Sequence, residues 1–415
     1  MSRSPIKTPA FRLFWLGQIL TQTGSEVSLL ALPVVAASLL HCTASQISML
    51  VVLEFLPPIL LGLHIGAIFD WYASRALLIA SDLARGALLV LTAVLYAVGR
   101  LDYAVLCGIT VMLSVFRTIF DSGYVVFIKR IVNADQLAET NISLGRARSF
   151  AETAGPSSGG FLIAALGAAN ALIVDAVTFF CSAMSLGFVR ETVPREVAKR
   201  AHPFQDIAGG ARVIAQNSTL KLMIGVSALW NLFYAMMWTL YVVYLLRDMA
   251  LDMRVIGLTY LPGGIGFFFG TTLLSRLRNR YDLKATATLG IWITVAWALL
   301  TATADGSAFA KAAFIFGASF FFAMGQALYN ISSMTLRQLS TPDEFMGRVG
   351  ALASVLFRST MPLGAMLAGA LSSVLTLRQI MMVGTAGLAL AALILTMSKV
   401  GKTVAVPLLT SSEAS

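Results

Sequence analysis

Gln18, Gln22 and Glu26 recur at every fourth position of a stretch that is otherwise apolar, so they form one polar stripe along one face of a helix. A carboxyl group on such a stripe can carry a proton, or it can hold a neighbouring helix by a hydrogen bond. Glu54 stands in a second apolar stretch just ahead of Pro57 and Pro58, and the same two roles are open to it. Arg117 and Asp121 are spaced i, i+4 and can neutralise each other along one helix. Glu152, Asp175 and Arg358 complete the set of ionisable groups inside apolar segments, and Arg358 requires an acid or a carbonyl from another helix. An ionisable group at the centre of a bilayer costs on the order of 3 kcal/mol on insertion scales, so each of these residues demands a reason.

A second kind of chemistry is written in aromatic residues. Ser227, Asn231, Tyr234, Trp238 and Tyr241 recur every three to four positions and share one helix face. Rings with polar tips suit a bulky amphipathic ligand by stacking and occasional hydrogen bonding. An interfacial aromatic belt is the other reading, and it fits Tyr241 and Tyr244 better than Asn231 and Tyr234. Gln326, Tyr329, Asn330 and Ser333 repeat the pattern later in the chain.

The elements that position these groups are membrane spans. Of 415 residues, 58% are hydrophobic and only 12% charged, and a spanning helix needs roughly 20 mostly apolar residues. Twelve segments qualify: 11–37, 45–69, 76–98, 103–127, 142–165, 168–189, 217–246, 255–275, 285–303, 309–332, 346–374 and 379–398. The expected fold is therefore an all-α polytopic membrane protein. The first segment is too long and too polar inside for a cleaved signal peptide. With the N-terminus in the cytoplasm, 21 Lys and Arg fall on the inner side and five on the outer. This asymmetry puts both termini in the cytoplasm. The net charge of +10 thus reflects topology and requires no nucleic-acid partner. Cys42, Cys107 and Cys181, like His41, His64 and His202, are too scattered for a disulfide framework or a metal site.

The longest polar stretch, with Pro194, Pro203, Arg195, Lys199 and Arg200, separates six spans from six. The expected organisation is a six-helix bundle over 1–189, a cytoplasmic linker over 190–216, a second bundle over 217–402 and a tail over 403–415. A faint repeat supports two halves: NADQLAETN, around Asp135, and TPDEFMGRV, around Asp343, follow the fourth and tenth spans about half a chain apart. The fifth span carries Gly155-Pro156-Ser157-Ser158-Gly159-Gly160, small residues that let a kinked helix approach its neighbours closely.

Residues 61–86 join the second and third spans through a tight polar hairpin containing Gly66, Asp70 and Arg75, followed by Asp82 and Arg85. An acid at the C-terminal end of a helix is locally unfavourable unless a base or a helix N-terminus faces it. The spacing Gly-x3-Asp-x4-Arg resembles the signature loop of the major facilitator superfamily. The following Asp-x-x-Arg resembles its siderophore-exporter and macrolide-efflux branch. The chain departs from the pattern at Trp71, Ala73 and Ser74, where the family carries a base, Gly and Arg. Gly155 to Gly160 resembles the GPxxGG motif of drug:proton antiporters, with Ala151 in place of a further Gly.

The resemblance implies the facilitator fold of two six-helix bundles. It also implies a conformational latch at Gly66, Asp70 and Arg75, extended to Asp82 and Arg85, and assistance to proton transfer from Arg117. The function it implies is export of a bulky amphipathic small molecule, such as a siderophore or an antibiotic, across a bacterial inner membrane. A proton gradient would supply the energy, no cofactor would be needed, and the chain would act as a monomer among membrane lipids. Uptake of a nutrient by a facilitator is the alternative within transport. A membrane-embedded lipid-modifying enzyme would call for clustered nucleophile patterns near one interface, and the sequence has none. It also lacks a Walker-type phosphate loop.

Overall fold

The computed structural model describes residues 9–65, 74–132, 137–189, 203–277, 280–342 and 345–398. The N-terminal half holds α1 (Pro9–Val34), which runs on through a π-helical turn at Val35–Leu39, α2 (Ala44–Ile65), α3 (Ser74–Ala97), α4 (Tyr103–Ile131), α5 (Leu137–Leu166) and α6 (Ala168–Phe188). A short helix, α7 (Pro203–Gln216), occupies part of the expected linker. The C-terminal half holds α8 (Ser218–Arg247), α9 (Met253–Leu258) with α10 (Leu261–Leu277), α11 (Leu283–Thr303), α12 (Ala308–Leu339), α13 (Met346–Leu371) and α14 (Leu377–Met397). The helices run alternately up and down, so the start of α1, the end of α14 and α7 share one end, here called the terminal end. The opposite end is the distal end.

Local chemistry sets where these helices begin. Asp102, Asn217, Asp252, Asp282, Ser307 and Thr376 each stand at an N-cap and accept from backbone N–H groups of the first turn. They satisfy donors that no helical carbonyl can reach. Thr376 and Gln379 complete a reciprocal capping box. The break between α9 and α10 falls at Thr259–Tyr260, just before Pro262, whose ring cannot continue the α9 ladder.

Among the described residues, eleven helices are long and apolar enough to cross a membrane, counting α9 with α10 as one. The twelfth expected span is α5, of which only Ala154–Leu166 is apolar. Its terminal half carries Arg146, Arg148 and Glu152. Arg148 is tolerated there because it lines an internal cavity, beside Leu144, Gly145 and Ala151. Large apolar side chains such as Phe161, Met184, Phe188, Phe268 and Met397 point outward, as expected where lipid is the solvent.

In the N-terminal half α1 packs on α5 and α6, α3 on α4 and α6, and α2 on α4. In the C-terminal half α12 packs on α10 and α11, and α8 on α13 and α14. The halves meet where α2 touches α13 and α5 touches α9. These meetings lie at the distal end. Gly160 of α5 rests on Gly257 of α9 so closely that a Cβ on Gly257 would fall 2.7 Å from the Gly160 Cα. Gly369 lies beside Ser48 in the same way, with 3.0 Å from a built Cβ to the Ser48 Cβ. Arg247, at the end of α8, donates to the carbonyl oxygens of Ala37 at 2.6 Å and Cys42 at 3.0 Å. These oxygens belong to the π-helical end of α1 and the turn after it, where the α-helical ladder no longer uses them.

Candidate functional site

Between the halves lies a cavity of about 850 Å³. Its wall takes Gln18, Gln22 and Glu26 from α1, Glu54 and Phe55 from α2, Arg85 from α3, Arg117 and Asp121 from α4, Arg148 from α5 and Arg358 from α13. Leu144 and Tyr124 also line it, and each stands about 10 Å along its helix from the terminal end at 1.5 Å per residue. The cavity therefore extends toward the terminal end, while the glycine contacts and Arg247 close the distal end.

The stripe on α1 forms one wall of this cavity. Gln18 is only 2% exposed, and its Nε2, the Thr21 hydroxyl and the Gln22 Oε1 have no hydrogen-bond partner among the described residues. Glu26 lines the cavity one turn further along and packs against Gly155, while Gly159 lets the α1 backbone approach at Val27. The helix-packing motif thus faces α1 through Gly155 and Gly159, and the other half through Gly160.

Glu54 and Arg117 form an ion pair at 3.3 Å, and Arg117 reaches Asp121 at 4.0 Å. The sequence offers the Arg117–Asp121 spacing, but the closer partner of Arg117 comes from α2. The proline pair explains how Glu54 is held. Pro58 has no N–H for the Glu54 carbonyl four residues earlier, and Ser114 of α4 donates to that oxygen instead. Arg358 enters the cavity from the opposite half and has no hydrogen bond or ion pair among the described residues. The Glu152 side chain, Gly66 and Asp70, and Asp135 and Asp343 of the repeat, lie outside the described residues.

The other residues assigned to the latch lie in α3, in and beside the expected third span. Asp82 and Arg85 lie two to three turns inside α3, 0% and 6% exposed, and pair with each other. The Arg85 guanidinium is sandwiched between the Phe120 ring at 4.5 Å and the Phe179 ring at 4.3 Å. Every one of these groups belongs to the N-terminal half, so this pair ties α3 to α4 and α6 rather than one half to the other. Arg75 donates to the carbonyl oxygens of Leu186, at 2.9 Å, and Gly187. There it offsets the negative end of α6. Asp175, fully buried, accepts from Ser28 and from Thr178 at 3.1 Å, joining α6 to α1.

The aromatic face of α8 does not line this cavity. Tyr234 stacks on Trp230 at 4.9 Å, on Phe322 at 5.5 Å and on Trp238 at 5.8 Å, and Trp238 in turn stacks on Tyr241. Ser227 bonds the Tyr329 hydroxyl at 2.9 Å, and Asn231 donates to the Ser227 carbonyl. Gln326 and Asn330 of α12 are likewise outside the cavity wall, half-buried and exposed. Sequence periodicity puts these side chains on one face without saying what that face meets, which is α11, α12 and Tyr260 at the α9–α10 break. The residues missed from sequence are Ser114, Arg148 and Arg247. Only Ser114 leaves a trace, since Pro58 signals a carbonyl that needs a donor.

Among the described residues no group of three or more His, Cys, Asp or Glu could hold a metal ion. A family model described as a transmembrane secretion effector matches residues 1–414. No curated protein matches the chain. Among solved structures, a bacterial homologue of the iron transporter ferroportin in its inward-facing state is similar, with a TM-score of 0.73, 17% identity and coverage of 93% of this chain and 98% of that one. The outward-facing state of such a homologue gives a TM-score of 0.55 at 17% identity, over 94% and 99% of the two chains. The nucleoside transporter NupG gives 0.74 at 10% identity, over 94% and 98%.

Proposed function

The chain belongs to the transmembrane secretion effector family within the major facilitator superfamily, a family of multi-pass membrane transporters rather than enzymes, and from that premise we propose that it is a proton-coupled exporter of a bulky amphipathic small molecule. The observation that carries this reading is the cavity between the halves, in which Glu54, Arg117 and Asp121 share one charge network. A proton arriving on Glu54 would remove one countercharge from Arg117 and leave it to Asp121 alone. The network would then exist in two charge states, each favouring a different arrangement of the wall. Glu26, beside the α5 glycines, is the second candidate carrier. The excess of Lys and Arg on the terminal side supports a cytoplasmic terminal end in a bacterial inner membrane. In that orientation the cavity opens to the cytoplasm, where an exported molecule is collected. The difference in TM-score between the two ferroportin-homologue states fits the same inward-facing geometry.

The test is transport in proteoliposomes with a panel of anionic, neutral and cationic amphipathic fluorophores under an imposed pH gradient. At least one should move against the proton flow and stop when a protonophore collapses the gradient. Transport of a fluorophore that ignores the protonophore would overturn the proton coupling.

A further inference from the structure

The charges on the cavity wall are not evenly matched. Arg117 has Glu54 and Asp121, and Arg85 has Asp82. Glu26 and Arg148 are each engaged with neighbours of their own. Arg358 alone among the charged groups lining the cavity has no hydrogen bond, ion pair or ring contact among the described residues, although it is exposed to the cavity space. It lies about 18 Å along α13 from Met346 at 1.5 Å per residue, well inside a bilayer roughly 30 Å thick. A guanidinium held at that depth without a countercharge is costly. The free energy of the site falls when an anion arrives. Across the same cavity, Gln18 is almost fully buried with amide N–H groups unused, beside the unused Gln22 carbonyl and Thr21 hydroxyl.

We propose that Arg358 receives a carboxylate, phosphate or sulfonate group of the transported molecule, and that Gln18 and Gln22 bond its neutral polar part. The substrate class is thus an anionic amphiphile. A planar guanidinium suits the two oxygens of such a group, because it can form two parallel charge-assisted bonds. Arg358 belongs to the C-terminal half and the glutamines to the N-terminal half. A ligand that touches both interacts best when the walls approach, which gives it a differential affinity for the state closed around it. This inference rests on reading the cavity as the substrate site, but it does not depend on proton coupling or on the direction of transport.

The experiment measures binding without any gradient. Dansyl-phenylalanine and its uncharged amide are titrated against the full chain in nanodiscs of phosphatidylcholine, followed by dansyl fluorescence. The wild-type chain should bind the acid at least tenfold more tightly than the amide. R358Q should lose that preference while binding the amide as before. R358K should keep a reduced preference, which preserves the test if R358Q fails to fold. Equal binding of acid and amide by the wild type, binding of neither, or a preference that survives in R358Q would each overturn the assignment. Repeating the titration in nanodiscs containing phosphatidylglycerol separates substrate from lipid. Loss of the acid preference there would give Arg358 to a lipid headgroup instead. Proton-driven transport that carries anionic and neutral fluorophores equally would leave the function intact and sink only the role of Arg358.

Discussion

Asp82→Asn should destabilise the N-terminal half by about 2–3 kcal/mol. Asp82 is fully buried and its carboxylate pairs with Arg85, which is itself only 6% exposed. Removing one member of a buried pair costs about 3–5 kcal/mol, because the other charge stays buried without compensation. Two features put this case at or below the lower end. The asparagine carbonyl still accepts a hydrogen bond from Arg85, and Arg85 borders the cavity, where water can reach it. The Phe120 and Phe179 rings flank the guanidinium in both proteins and so drop out of the difference. For a folded unit of roughly 150–250 residues, each kcal/mol moves the thermal midpoint by about 2–4 °C, so a drop of about 4–12 °C is expected in detergent. Asp82→Leu combined with Arg85→Met should recover most of the loss, since well-packed apolar pairs often replace a buried ion pair at little cost. The cycle of single and double variants isolates the coupling. A single-variant drop of under about 1 °C, or a double variant worse than both singles, would refute the argument that this pair is a desolvated structural tie.

Glu54→Gln should abolish pH-gradient-driven transport while leaving binding of an amphipathic fluorophore within about threefold of wild type, and Glu26→Gln gives the comparison for the second carboxylate; full gradient-driven transport in the Glu54 variant would remove it as a carrier. Tyr234→Ala should lower stability by about 1–3 kcal/mol through loss of a partly buried ring stacked on three others, with fluorophore affinity unchanged; weaker binding at full stability would return the α8 face to the substrate site. Gly160→Leu should prevent close approach of α5 to α9, where a built Cβ already falls 2.9 Å from the Met253 carbonyl oxygen, and spin labels across the distal end should report a larger separated population. An unchanged distribution would show that the seam tolerates bulk.

Much of the architecture is legible in the chain because lipid imposes simple rules. Apolar length sets the spans, and the basic excess separates one set of loops from the other. The stripe of Gln18, Gln22 and Glu26 is readable because a 3.6-residue period brings all three to one face, and the cavity wall is where that face lies. α5 shows the limit of length and hydropathy, since its polar half spans by lining the cavity. Pairings between helices are a different matter. Arg117 and Asp121 can be matched by spacing, but Glu54 comes from 63 residues away, and nothing local marks it as the closer partner. The Asp82–Arg85 spacing is legible too, yet an i, i+3 pair reads the same at a membrane surface and inside a bundle. Burial, which decides its role, comes from Phe120 and Phe179 on other helices. Periodicity likewise gathers Tyr234 and Trp238 on one face without telling a ligand from Trp230 and Phe322.

Under the proposed function, the two halves close at one end while opening at the other. In a chain with Cys42, Cys107 and Cys181 replaced by serine or alanine, spin labels at Arg100 and Ala308 report on the distal end. A second pair at Phe188 and Tyr281 reports on the terminal end. All four positions are exposed and lie on different halves within each pair. Electron–electron distance measurements at high and low pH, with and without an amphipathic fluorophore, should show the distal distance growing as the terminal distance shrinks. Two distances that stay fixed under every condition, or that lengthen together, would contradict alternating access through this cavity.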